Sequence, residues 1–146
     1  MKVKLIVLAA AAGLATAVPS FGAQAPIVAQ PLAVGTLHAT TIHAGSGAMV
    51  LDRITIAPGG SFGWHTHGSP VAVIVAAGTL TVFDPAVANC APFKVSKGQS
   101  FVEPANHVHL ARNDTKTPVR VYAMFMGLPK PALATKPATA PAGCSA

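Results

Sequence analysis

The sequence predicts an all-β fold, a small antiparallel barrel or jelly roll, on three observations. Apolar runs are short and end at Gly, Pro, Asn or Asp, with 13 Gly and 13 Pro among 146 residues. No stretch of the chain after its first twenty-odd residues keeps a helical period. Turn-type connections recur about every ten residues, the spacing of strands in a barrel or sandwich.

The elements follow in order. Thr36 to His43 and Ala48 to Ala57 read as strands separated by Gly45-Ser46-Gly47, and the second ends at Pro58-Gly59-Gly60. Gly45-Ser46-Gly47 reads as a turn, because no helix follows it to make a phosphate cradle. Phe62 to His67 is a strand broken by Gly68-Ser69-Pro70. Val71 to Val75 and Thr79 to Phe83 then form a hairpin around Ala76-Ala77-Gly78, the first of them apolar on both faces as a core strand is. Phe93 to Val95 leads to a turn at Lys97-Gly98, and Ser100 to Glu103 leads to a corner at Pro104-Ala105-Asn106. His107 to Ala111 continues beyond that corner. Val119 to Met126 closes the domain, with Val119, Val121, Ala123 and Phe125 on one core face.

Composition narrows the function. Only 10% of residues are charged, and the net charge of +6 includes Lys2 and Lys4 in the leader. The remaining 8 cations face 4 anions and are scattered, so no nucleic-acid partner is expected. Phosphate loops and Ser-His-acid spacings are missing from the sequence as well. Lys2 and Lys4 followed by the apolar run Leu5 to Val18 read as a secretory signal peptide over residues 1–25, cut near 22–25. Pro19 and Ser20 interrupt the run before it could cross a bilayer, so no stable membrane span is expected. A secreted or periplasmic location follows, and it permits a disulfide between Cys90 and Cys144. That bridge would pin the Pro- and Ala-rich tail at 129–146. Residues 26–35 form an N-terminal extension, and 36–128 the barrel domain.

The chemistry concentrates in the histidines. His65-Thr66-His67 and His107-Val108-His109 are H-x-H pairs. Residues two apart on a strand share a face, so the first pair can aim both imidazoles at one cation, and the second can supply a third ligand. Phe62 and Trp64 alternate with these histidines and are assigned to core or rim packing outside the metal cavity. Phe101, Tyr122, Met124 and Phe125 are assigned to the core. His38 and His43 are assigned to packing or surface roles.

The stretch Gly59 to Gly78 resembles the first motif of the cupin family: Gly59, His65, His67 and Gly78 stand at its spacings, with Val71 where the family has Glu. The second motif is matched by Gly98, Pro104, His109 and Asn113, with Asn106 at its second Gly, and Asn also tolerates the left-handed backbone of a turn. The resemblance implies a small cupin-type β-barrel whose metal is held by His65, His67 and His109, a three-histidine variant like that of some cupin dioxygenases. His107 and Glu103 are the candidates for an additional ligand or for a group that orients one. The cofactor implied is one divalent transition metal ion: Fe, Zn, Cu, Mn or Ni. The function implied is a metal-dependent act on a small molecule, with an iron dioxygenase-type oxidoreductase first. A non-catalytic metal-dependent binding module and a zinc-type hydrolase or lyase are the alternatives. Pairing of edge strands into a homodimer is a further expectation from the family.

Overall fold

The computed structural model describes residues 29–129 and 134–146. The signal-peptide reading of residues 1–25 lies outside them. Among the described residues nine strands follow in order: β1 (Ala48–Ile56), β2 (Ser61–Thr66), β3 (Val71–Ala77), β4 (Thr79–Phe83), β5 (Phe93–Ser96), β6 (Ser100–Glu103), β7 (His109–Arg112), β8 (Val119–Leu128) and β9 (Lys136–Pro137). A 3₁₀ turn, Ala88–Cys90, stands between β4 and β5.

The strands form two antiparallel sheets, ordered β1-β8-β3-β6 and β5-β4-β7-β2-β9. Alternation along each strand sends one set of side chains between the sheets. On β8 that set is Val119, Val121, Ala123 and Phe125, all buried, as the sequence pattern predicts. On β3 it is Val71, Val73 and Val75, while Ala72 and Ile74 are half-buried on the other face. Leu80, Val82, Val95, Ala111 and Ile56 complete this core.

Three expectations about local structure are corrected. β3 and β4 are not a hairpin: β3 pairs with β6 and β8, and β4 with β5 and β7. Gly78, at φ 76°, carries the chain from one sheet to the other, because both strands are apolar enough to face the shared core from opposite sides. Thr36 to His43 is not a strand either. Thr36 alone bridges to Gln99, and the polar residues around it give the segment no face worth burying. The corner after β6 runs on to Val108, so His107 precedes β7 instead of sharing a strand with His109.

The tail contributes to the fold. β9 pairs with the outer edge of β2, matching Pro137 with His65 and Lys136 with Thr66. Cys144 is bonded to Cys90 and packs with Trp64 beside a small cluster of Phe83, Cys90 and Leu110. Among the described residues no helix is long and apolar enough to cross a membrane.

Candidate metal centre

The β2–β7 ladder builds the site. His65 is the direct cross-strand partner of His109, so a residue of the first motif and one of the second are adjacent by register. His67, just beyond β2, completes the group, and the three ring centroids lie 4.3 to 5.1 Å apart. One nitrogen of each ring falls within 4.8 Å of the corresponding atoms of the other two. All three residues are buried.

Backbone carbonyls decide which nitrogen faces the centre. His65 Nδ1 stands 2.9 Å from the Gly63 carbonyl, His67 Nδ1 2.7 Å from that of Ala134, and His109 Nδ1 3.1 Å from that of His107. A ring nitrogen facing a carbonyl oxygen must donate, so in the neutral form of each ring the proton resides on Nδ1 and Nε2 is left as an acceptor. The Gly63 carbonyl reaches its position through an irregularity between Ser61 and Trp64, where Gly63 adopts φ 64°. His67 Nε2 and His109 Nε2 are buried without a hydrogen-bond partner. Buried lone pairs left unmatched are costly, and a divalent cation is the species that uses several at once. The donor set therefore fits a transition metal ion.

Glu103, at the end of β6, is the acid nearest the cluster. Its Oε2 lies 3.2 Å from His67 Nε2 and its Oε1 3.1 Å from His109 Nε2, contacts of charge without hydrogen-bond alignment. Burial alone would raise the Glu103 carboxyl, but His109 and His67 outweigh it and lower the group to about 2. Burial would likewise lower His109, yet Glu103 prevails and raises that ring above its ordinary value. His65 is lowered to about 4, mainly by burial. The carboxylate oxygens and the Nε2 lone pairs repel one another unless a proton or a cation lies between them.

Val71 lies in the cavity wall, fully buried, and coordinates nothing. His107 turns away: its Nε2 pairs with Asp84 Oδ1 at 2.7 Å, and only its carbonyl serves the site. Asn113, wholly buried, is a brace, its Nδ2 donating to the carbonyls of Ile56 and Thr117 and its Oδ1 accepting from Thr115. Asn106 has φ 59°, the left-handed turn geometry expected of it. His38 and His43 are exposed. Trp64 packs outside the cavity against Phe83. Phe62 does not: it lines the cavity and its ring approaches that of His65 at 5.5 Å, because the Gly63 irregularity breaks the alternation that would have turned it outward. Gly63, Ala134 and Thr135 are site residues that the sequence reading missed. Only Gly63 carried a signal, a glycine inside a strand.

The cavity before the histidines measures about 40 Å³, space for about two or three waters. Ile54, Ile56, Val73, Leu80, Val121 and Phe125 give it an apolar wall. Phe125 lies 5.3 Å from His67, ring edge to ring face.

The cupin domain family model matches residues 52–125. No curated protein matches the chain. Among solved structures, the polyketide cyclase RemF of Streptomyces resistomycificus is similar at 17% identity and TM-score 0.53, over 68% of this chain and 66% of that one. The DMSP lyase DddQ of Ruegeria pomeroyi is similar at 16% identity and TM-score 0.53, over 63% of this chain. This chain spans just under two thirds of the cyclase and 44% of the lyase. At these identities the likeness is one of fold.

Proposed function

The chain belongs to the cupin family, and from that premise we propose that it holds one divalent transition metal ion on His65, His67 and His109 and uses it to transform a small molecule, by oxidoreduction of the dioxygenase type. The observation that carries this reading is the common tautomer of the three rings, each Nδ1 tied to a carbonyl and each Nε2 left free. When bound, the ion supplies Lewis acidity and, if it is iron, electron exchange with dioxygen.

The chain's own residues do the rest. Gly63, Ala134 and His107 hold the imidazoles in orientation through their carbonyls. Three neutral rings leave a divalent charge uncompensated, which favours ligands that bring negative charge or electron density. Ile54, Ile56, Val73, Val121 and Phe125 keep water scarce, so polar interactions inside are strong. The small volume and apolar wall suit a compact substrate with few polar groups, recognised through the ion itself. The leader-like residues 1–25 and the Cys90–Cys144 bridge support a secreted or periplasmic location.

The test is metal reconstitution with oxygen uptake. Tag-free protein is loaded in turn with Fe(II), Zn(II), Cu(II), Mn(II) and Ni(II), and screened on small thiols, diketones and phenols. Oxygen consumption that requires iron and is lost in His65→Ala supports the proposal. Turnover with zinc and no oxygen uptake replaces it with hydrolase or lyase chemistry. Metal binding without turnover of any compound replaces it with a non-catalytic binding module.

A further inference from the structure

We propose that Glu103 is a fourth ligand of the ion, supplying from β6 the carboxylate that the first motif lacks at Val71. The inference rests on the three-histidine reading above and adds a residue, and a charge, to it.

Register places the two positions together. Val71 on β3 is the direct cross-strand partner of Glu103 on β6, and both side chains line the same cavity. Directly opposed residues on one face have Cβ atoms about 4.5–5.5 Å apart, a distance a glutamate side chain spans. A carboxylate on β6 therefore reaches the space that one on β3 would fill. Val71 is fully buried and apolar, so Glu103 is the one of the two opposed residues that can offer a carboxylate to the cavity.

Distances then separate a ligand from a neighbour. With metal bonds of about 2.1 Å, adjacent ligand atoms lie roughly 3.0 Å apart in an octahedron and roughly 3.4 Å apart in a tetrahedron. The two Glu103–histidine separations, 3.2 and 3.1 Å, fall inside that interval. They also lack hydrogen-bond alignment, and the same two Nε2 atoms have no other partner. Atoms arranged around a shared ion have this geometry, whereas a histidine hydrogen-bonded to an acid points its N–H at the oxygen. Glu103 is also the sole glutamate among the 146 residues.

Ligation changes the chemistry of the site. The carboxylate lowers the net charge of the centre from +2 to +1 and strengthens the hold on hard cations relative to three imidazoles alone.

The experiment reads the carboxylate directly and by substitution. In protein labelled with ¹³C at the glutamate side-chain carboxyl, the resonance belongs to Glu103 alone, and zinc titration is expected to move it with 1:1 stoichiometry. Glu103→Gln is expected to bind zinc about 100-fold more weakly and to alter the visible spectrum of the cobalt(II) form. The swap Val71→Glu with Glu103→Val is expected to recover affinity to within about tenfold. An unmoved resonance overturns the proposal without any variant having to fold. So does a Glu103→Gln protein with wild-type zinc affinity and cobalt spectrum, and that result leaves the histidine site standing. A wild-type protein that takes up no metal overturns both readings.

Discussion

The Ala134 carbonyl stands 2.7 Å from Nδ1 of His67, joining two residues 67 positions apart in sequence. The tail thus reaches over the site and orients one of its candidate ligands. Thr135 lines the same cavity, Lys136 and Pro137 pair with Thr66 and His65, and the Ala138 N–H donates to the Trp64 carbonyl at 2.8 Å. The Cys90–Cys144 bridge ties down the far end of this strap.

Opening that bridge is expected to loosen the centre. In Cys90→Ser/Cys144→Ser, His67 loses a fixed partner, and zinc affinity should fall about tenfold, as it does when an orienting partner of a metal ligand is removed. Stability should fall by up to about 4 kcal/mol, from the chain entropy of a loop whose ends are 54 residues apart. Isothermal titration and denaturant unfolding of the variant check both. Wild-type zinc affinity in the double serine protein refutes the strap's role at the site.

Removing single imidazoles is expected to abolish binding without abolishing the fold. His65→Ala and His109→Ala should each take zinc stoichiometry from one toward zero while the far-ultraviolet dichroism stays that of a β-protein. Retained stoichiometry in either variant contradicts the three-histidine site. The rings carry little of the packing, which lies with the valines and Phe125 between the sheets.

Protons should leave as metal enters. Glu103 raises His109 above its ordinary value, so below that raised value the metal-free ring carries a second proton, on Nε2, that the ion must displace. His65, lowered to about 4, is already neutral there and releases none. Zinc titrations in buffers of different ionisation enthalpy should show proton release growing as pH falls through the raised His109 value and vanishing well above it.

Stability of the metal-free protein has the matching signs. His109 is raised, so its contribution is complete below 6.5 and is lost as pH rises through the folded value. His65 is lowered, so its contribution is lost as pH falls from 6.5 toward 4, and that of Glu103 as pH falls from 4.5 toward 2. The unfolding midpoint should therefore decline below pH 6.5. A flat midpoint from pH 6.5 to 4 contradicts the burial of His65 as a neutral ring.

Asn113→Ala should cost stability and spare the metal. The side chain satisfies the Ile56 and Thr117 carbonyls and the Thr115 N–H from a wholly buried position, so its loss should cost about 3 kcal/mol. Zinc stoichiometry should stay at one, because Asn113 makes no hydrogen bond to a ligand side chain. A denaturation midpoint equal to wild type overturns the brace.

Much of the fold and half of the site were legible along the chain. Alternation in Val119 to Phe125 placed β8 and its core face, since a strand sends every second residue to the same side. The H-x-H of His65 and His67 marked two candidate ligands, and both rings do stand in the cluster with His109. His107-Val108-His109 has identical spacing and a different outcome: the corner occupies His107, which goes to Asp84. Spacing carries a meaning only where the backbone is extended, and that is a property of the turn beside it. The hairpin expected at Gly78 failed on similar grounds, because a turn glycine serves equally to reverse a strand or to pass it to the opposite sheet.

From sequence alone came an all-β barrel and three histidines as candidate ligands, with a missing acid at Val71, because periodicity and motif spacing are local and survive in one dimension. The tertiary structure decided which carbonyls hold the rings, that Glu103 stands across from Val71, and that the tail closes over His67. Those depend on register between strands far apart in the chain, where a shift of one residue would turn every side chain to the other face.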